Sequence, residues 1–132
     1  MSVIVDTCVW SSALRRKKSD QHIAAKLTEL ITNNQVVMLG PIRQEILSGV
    51  ADLKQFELLK NHLAAFTDFP ITTAHYQTAA CFFNLCRSKG IQGSHTDFLI
   101  CAVSAMESMQ LYTTDKDFTH YQAHLDIRLF TD

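Results

Sequence analysis

Four carboxylates stand where a sequence that only builds a core has little use for acids. Asp6 ends an apolar run at residues 3–5, and Asp115 follows a second predicted strand, at residues 110–114. Asp97 opens a segment that is otherwise almost entirely apolar, and Glu45 lies in the first turns of a predicted helix entered directly from a strand. In a parallel sheet the strand-to-helix junctions lie on one edge, where ligands collect. We therefore expect the four acids to share that edge.

Each acid also has a simpler interpretation when it is taken alone. The three aspartates can cap helices, and Glu45 can place its charge against the positive end of a helix. Four such residues on one edge, however, repel one another and raise their pKa values unless a cation neutralises them. Oxygen ligands without thiolates or paired histidines favour Mg²⁺ or Mn²⁺ over zinc, and such ions can activate water for attack on a phosphodiester. The pattern leaves open whether one ion or two would bind.

Two histidines form a weaker candidate site. His120 and His124 lie one helical turn apart and could bind zinc, but the pattern supplies no third ligand. The sequence also contains no convincing histidine pair for acid–base catalysis. This argues against a ribonuclease that works without a metal through the 2′-hydroxyl of RNA.

Alternating strands and helices must position these acids. The first strand is a β-branched run without polar alternation, which is typical of a strand buried on both faces. The predicted strands are 3–5, 35–39, a brief extended segment at 68–71, 110–114 and 127–130, and the predicted helices are 7–15, 20–32, 42–50, 53–66, 73–87, 93–103 and 116–122. This order predicts an α/β fold with a central, mostly parallel sheet of four to five strands and helices on both faces. We expect one domain over residues 1–132.

Composition sets the broad class of the protein. Of the 132 residues, 47% are hydrophobic and 19% charged, which suits one domain with a real core. The sequence shows no signal-like or membrane-spanning segment, so a cytoplasmic location is expected. The cysteines form no C-x-x-C pair and are expected to be buried, reduced thiols; they are Cys8, Cys81, Cys86 and Cys101.

A basic run lies within a chain whose net charge is −1. That net charge excludes a global basic surface for nucleic acid but permits a local one. The run comprises Arg15, Arg16, Lys17 and Lys18, directly after the first predicted helix. Such a run is either an ordinary solvated loop or a surface that grips a phosphate backbone.

Four blocks of the sequence resemble PIN-domain nucleases and, within them, the VapC-type toxins of bacterial toxin–antitoxin pairs. The blocks cover nearly the whole chain and comprise residues 5–7, 41–45, 93–102 and 113–118. The last block is the most specific, because its threonine, two aspartates and phenylalanine match the T-x-D-x-D-F spacing of that family. The resemblance implies a single PIN-like domain.

The resemblance implies a role for each matching residue. The catalytic residues, which hold Mg²⁺ or Mn²⁺ directly or through water, would be Asp6, Glu45, Asp97 and Asp115. Thr7 and Thr113 would orient a ligand or a water molecule through their hydroxyls. Asp117 would be an extra ligand or a structural cap, and we expect it to support the ligands indirectly.

Contacts with RNA are expected from basic side chains near the acids. These are Arg15, Arg16, Lys17, Lys18, Arg43 and Lys116. They would fix the position of the RNA backbone and carry little sequence information. In one departure from the family pattern, His95 and Thr96 precede the third acid, where many relatives carry a small polar residue. His95 either contacts RNA or is an ordinary exposed histidine.

The expected function is a metal-dependent endoribonuclease that acts as a growth-inhibiting toxin. A metal-activated water would hydrolyse the phosphodiester in line and leave a 5′-phosphate and a 3′-hydroxyl. The resemblance further implies a homodimer and a small VapB-type antitoxin that covers the acidic site. The alternative is a PIN-like domain that binds RNA or metal without cleaving.

Overall fold

A parallel sheet of three strands lies at the centre of the computed structural model, which describes residues 1–15 and 17–131. The strands are β1 (Val3–Val5), β2 (Val36–Val37) and β3 (Gln110–Tyr112), in the order β2-β1-β3. Val3 is paired with Val36 on one side and with Gln110 on the other. All three residues of β1 are fully buried, because the sheet is covered on both faces.

Helices connect the strands and cover the sheet. They are α1 (Thr7–Leu14), α2 (Gln21–Thr32), α3 (Gly40–Ser48), α4 (Leu53–Leu63), α5 (Thr73–Ser88), α6 (His95–Glu107) and α7 (Asp117–Gln122), with a 3₁₀ turn at Lys18–Asp20. Asp52 caps α4 by accepting a hydrogen bond from the Gln55 amide at 3.1 Å. The chain leaves α5 through Gly90, whose φ of 78° suits glycine. The predicted α/β class is therefore confirmed.

The number of strands is smaller than predicted. The described residues contain three strands rather than four to five, and each edge of the sheet is extended only by one parallel bridge, Met38 with Asp68 and Leu111 with Leu129. Phe69 donates to the Met38 carbonyl, but the next residue is Pro70, which has no N–H with which to continue the pairing. The segment 127–130 likewise bonds to β3 only around Leu111.

Helix α6 runs through the middle of the fold, as its apolar sequence predicts. Seven consecutive residues from Phe98 to Ser104 are buried, so the helix has no solvent-facing side over that length. Its polar Ser104 is satisfied, because the hydroxyl donates to the Met109 carbonyl at 2.6 Å. Because the helix is buried in this way, the residues of its first turn, which include Asp97, are held in a fixed position.

The cysteine prediction holds only in part. All four thiols are free, and Cys86 and Cys101 are buried as expected. Cys81 is exposed on α5 and Cys8 is only partly buried, so the expectation of burial is wrong for these two. The sequence neighbours of Cys81, Phe82 and Phe83, are the residues that pack partly against the core.

The guanidinium of Arg43 is hydrogen-bonded within the fold, so it is not free to contact RNA as predicted. Its Nε donates to Asp68 at 2.9 Å, its Nη1 donates to the Leu63 carbonyl at 2.9 Å, and its Nη2 donates to the Phe66 carbonyl. These bonds satisfy carbonyls at and beyond the end of α4 and tie them to α3. We therefore remove Arg43 from the set of proposed RNA contacts.

Among the described residues, no helix combines the length and the apolar character that crossing a membrane requires.

Candidate functional site

Asp6 lies at the carboxyl end of β1 and is 7% exposed. Its amide donates to the Tyr112 carbonyl at 2.9 Å, which continues the pairing of β1 with β3. One carboxylate oxygen, Oδ1, accepts from the Thr7 amide at 2.8 Å and so caps α1. The other, Oδ2, accepts from the hydroxyl of Thr113 at 2.9 Å and from the Cys8 thiol at 3.6 Å. Asp6 is thus a helix cap and also one of the acids at the edge of the sheet.

Thr113 joins the loop after β3 to Asp6. Its hydroxyl donates to Asp6 and accepts from the Asp115 amide at 3.0 Å. Asp115 in turn accepts from the Asp117 amide at 3.0 Å through Oδ1. The T-x-D-x-D pattern is therefore a chain of short-range hydrogen bonds that orders the loop and attaches it to the first strand. Asp117 takes part through its backbone amide. It is the first residue of α7, and its side chain is exposed.

Asp97 sits in the first turn of the buried helix α6. Ser94 caps this helix, because its hydroxyl accepts from the Asp97 amide at 3.0 Å. The hydroxyl of Tyr121 donates to Asp97 Oδ2 at 2.8 Å. Burial and the nearby Asp97 raise the pKa of Tyr121, so the phenol keeps the proton that it donates.

The pKa values of the two inner aspartates show that the acids influence one another. Burial raises the pKa of Asp6, and the charge of Asp97 raises it further, although hydrogen bonds from Thr113 and the Thr7 amide act in the opposite direction. Burial also raises the pKa of Asp97, as do the charges of Asp115 and Asp117. Asp97 is therefore the acid that links the others electrostatically, because its charge acts on Asp6 and the charges of Asp115 and Asp117 act on it.

Glu45 reaches the same edge from α3. Its Oε1 accepts a hydrogen bond from the hydroxyl of Thr7 at 2.9 Å, and Thr7 is the residue whose amide Asp6 caps. Glu45 itself is exposed. The predicted role of Thr7, to orient a ligand or a water molecule through its hydroxyl, stays a prediction; in the structure that hydroxyl donates to Glu45.

The chemistry of the donor set fits a hard divalent cation. The ion pairs formed among the described residues use other acids: Asp20, Glu29, Glu57, Asp68 and Glu107. Asp6 and Asp97 are held instead by neutral hydroxyl, amide and thiol donors. Within residues 1–15 and 17–131, no group of three or more Asp, Glu, His or Cys side chains is placed so that it could hold a metal ion. Repulsion between charged carboxylates opposes their closer approach unless a cation is present.

The basic residues predicted to contact RNA, apart from Arg43, are exposed where the structure describes them. Lys17, Lys18 and Lys116 are exposed, and Lys116 directly follows Asp115. Arg15 donates to Ser12 at 2.9 Å and pairs with Asp20 at 3.4 Å. Arg16 lies outside the described residues.

The histidines do not form a metal site in the part of the chain that is described. His120 and His124 are exposed, and no third ligand joins them there. His95 is exposed near Asp97, and its ring stacks on Phe83 with centroids 4.8 Å apart.

Sequence reasoning missed three residues that contact the acids: Cys8, Ser94 and Tyr121. A signal for Ser94 was present, since a serine three residues before an acid and an apolar run is typical of a helix start. No local pattern indicates Tyr121, which meets Asp97 across 24 positions of the chain. Cys8 contacts Thr113 at 3.4 Å and accepts from the Thr114 amide at 3.4 Å, again across the sheet.

Comparisons with known proteins identify the family and the fold. A family model described as PIN domain matches residues 3–123. Comparison with curated protein sequences gives no match. A chain in the crystal structure of FitAcB from Neisseria gonorrhoeae is similar over 98% of this chain and 96% of its own, at 21% identity and a TM-score of 0.79.

Two further structures share the fold at still lower identity. A chain of VapBC2 from Rickettsia felis, bound to a DNA fragment from its promoter, has 16% identity and a TM-score of 0.78, with 98% of each chain covered. A chain of VapBC-1 from nontypeable Haemophilus influenzae has 14% identity and a TM-score of 0.75, with 98% of this chain and 97% of that chain covered.

Proposed function

The chain belongs to the PIN domain family, and on that premise we propose that it is a metal-dependent endoribonuclease acting in the cytoplasm as the toxin of a toxin–antitoxin pair. One observation carries the proposal: Asp6 ends β1 and Asp97 lies in the first turn of α6, the charge of Asp97 raises the pKa of Asp6, and both carboxylates accept hydrogen bonds from neutral donors. Such an arrangement leaves negative charge for a bound cation to neutralise.

Asp6, Asp97, Asp115 and Glu45 would hold Mg²⁺ or Mn²⁺. When bound, the ion activates water and stabilises charge on the phosphate. Thr113 keeps Asp6 and the Asp115 loop in register, and Thr7 orients Glu45. In the proposed reaction the oxygen of water bonds to phosphorus and the P–O3′ bond breaks, which gives a 5′-phosphate and a 3′-hydroxyl.

A cleavage assay tests this function. The purified chain is incubated with structured RNA in Mn²⁺, and a parallel sample contains excess EDTA. We expect cuts within the RNA in Mn²⁺ alone, with ends that accept 5′-phosphate-dependent ligation. Binding without any cut would instead support the alternative of an RNA-binding PIN-like domain. Cleavage that persists in EDTA and leaves 2′,3′-cyclic phosphates would contradict the proposal.

Lys17 and Lys18 are proposed to bind the RNA backbone, because both are exposed just beyond the C-terminal end of α1, which is about 12 Å long and is capped at its start by Asp6. Replacing both by alanine should weaken RNA binding and reduce the slope of log K against log salt by about 1.4, at about 0.7 per phosphate contact of a single strand. Binding is measured in EDTA over a range of salt concentrations. The matched control, Lys54→Ala with Lys89→Ala, removes the same charge from exposed sites elsewhere and should leave the slope unchanged. Equal slopes for the two double variants would exclude this surface.

A partner segment is proposed to occupy the cavity beside Glu45, between α1, α3 and α4. The cavity has a volume of about 570 Å³, and its walls include Leu14, Ile46, Leu58 and Leu59. Leu58 is 61% exposed and Leu14 is 47% exposed, so two large apolar side chains are open to solvent on the walls of one cavity. An apolar antitoxin segment would cover these leucines, and a following basic side chain would reach the acids. We also propose that the toxin is a homodimer, as the family resemblance implies.

Leu58→Asp should abolish binding of the antitoxin, because a charge would enter the apolar contact. The variant is co-expressed with the small protein encoded beside it, and complex formation is followed by co-purification and by silencing of RNA cleavage. Leu53→Asp is the matched control, since Leu53 is 74% exposed on the same helix but does not line the cavity. A stable, inactive complex with Leu58→Asp would contradict this location for the partner.

A further inference from the structure

Tyr121 is buried completely, yet its one polar atom points at a candidate ligand. The side chain lies on α7 and packs against Phe98, with ring centroids 4.9 Å apart, and against Phe118, at 5.1 Å. These contacts hold the ring from two sides, so the phenol has little freedom to move. Its hydroxyl donates to Asp97 Oδ2 at 2.8 Å.

Gly93 leaves the space that this hydroxyl occupies. A Cβ atom at position 93 would overlap the Tyr121 hydroxyl, and it would lie 2.8 Å from Tyr121 Cζ and 2.9 Å from Phe98 Cε2. The backbone of Gly93 does not have a positive φ, so glycine is required here for close approach and not for a turn. The residue just before the Ser94 cap thus admits the tyrosine to the first turn of α6.

A carboxylate rotates easily about its last side-chain bond, because that torsion has broad minima. The exposed Ser94 cap accepts from the Asp97 amide, and its hydroxyl also lowers the pKa of the Asp97 carboxylate. The buried phenol of Tyr121 restricts the carboxylate further, because it donates to Oδ2 from a defined direction.

We propose that Tyr121 is a positioning residue that orients the Asp97 carboxylate for the bound cation, and that Gly93 serves this contact by leaving room for the hydroxyl. This inference rests on the proposed function, in which Asp97 is a ligand. Hydrogen bonds from outside a metal site to its ligands commonly set the affinity for the ion.

A purely structural role is the competing explanation. A buried phenol needs a hydrogen-bond acceptor, and Asp97 could serve only to satisfy it. In that case Tyr121→Phe, which keeps the ring and its aromatic contacts, would change stability but not the affinity of the folded protein for Mn²⁺. If Tyr121 positions Asp97, both affinity and turnover fall.

The test measures Mn²⁺ uptake by titration calorimetry together with RNA cleavage. We expect Tyr121→Phe to lower Mn²⁺ affinity by about 10-fold and kcat by a similar factor, with KM for RNA unchanged. The matched control is Tyr76→Phe, which removes a hydroxyl from an exposed tyrosine and should change neither quantity. Cooperative thermal unfolding of each variant shows that it is folded.

Gly93→Ala provides a second route if Tyr121→Phe does not fold. It leaves both functional groups in the chain but displaces the tyrosine, so Mn²⁺ affinity should again fall by about 10-fold. In the double variant the two effects on affinity should not add, because one contact is lost in both. Wild-type Mn²⁺ affinity in Tyr121→Phe, or additive effects, would overturn this inference alone. Failure of the wild-type protein to take up Mn²⁺ would overturn the proposed function with it.

Discussion

Asp97→Asn is expected to lower RNA cleavage by at least about 100-fold, the upper range for losing even an indirect partner of a metal ligand. Asparagine has nearly the same shape, and its side-chain oxygen can still accept from Tyr121. The substitution therefore removes the charge and keeps the packing. Cleavage is measured at saturating Mn²⁺, and Asp52→Asn serves as the control, because Asp52 is exposed and asparagine caps a helix as well as aspartate does.

The same substitution should leave the metal-free protein as stable as the wild type, or more stable. Burial raises the pKa of Asp97 above its ordinary value of 3.8, so the folded state holds the proton more tightly than the unfolded chain. Compared with a neutral side chain, the folded state then loses stability as pH rises from 3.8 through the raised pKa. At pH 7 the ionised Asp97 therefore costs stability, and asparagine removes that cost.

Thermal melts of the metal-free proteins at several pH values check this sign. The melting temperature of Asp97→Asn should exceed or equal that of the wild type at pH 7, and the difference should shrink as pH falls towards 3.8. A clear drop in the melting temperature of the variant at pH 7 would show that Asp97 is mainly a structural residue. Retained cleavage would remove it from the proposed catalytic set.

Mn²⁺ is expected to stabilise the wild-type protein strongly at pH 7. A ligand that binds only the folded state adds about 2.7 kcal/mol to the free energy of unfolding at 100 times its Kd. Here the ion would bind the ionised forms of Asp6 and Asp97, whose pKa values are raised mainly by burial and further by neighbouring negative charge. The gain should therefore fade as pH drops through those raised pKa values, because protons then compete with the metal.

Denaturant unfolding with and without Mn²⁺ measures this gain. Asp6→Asn and Asp97→Asn should each lose most of it, whereas Asp52→Asn should retain it. A monovalent salt at the same ionic strength serves as the control, because ionic strength also alters repulsion between exposed charges. A gain of the same size in all three variants would place the bound ion somewhere other than at the edge of the sheet.

Much of the fold could be predicted from local patterns. The unbroken apolar run of β1, the cap at Asp52 and the apolar sequence of α6 each specify their element through neighbouring residues alone. Parallel pairing then brings the ends of β1 and β3 together, which is why Asp6 and the Asp115 loop could be expected on one edge. Backbone periodicity and chirality suffice for these conclusions.

Other features depended on contacts between distant parts of the chain. Arg43 has the composition of an RNA contact, but the folded chain places three acceptors around its guanidinium. The edge strand at residues 68–71 failed because pairing stops at Pro70. Local sequence patterns do not predict these features, because each depends on contacts between segments that are far apart in the chain.

The acids show which features of the site the sequence predicts and which depend on the tertiary structure. Their types and their places at the ends of strands or the starts of helices are visible in the sequence, because local geometry repeats along the chain. The orientation of each carboxylate was decided by tertiary structure, through Thr113 on Asp6 and Tyr121 on Asp97. The distance between the two atoms of a hydrogen bond can vary by only a few tenths of an ångström. Only the packing of the whole core sets atomic positions that finely.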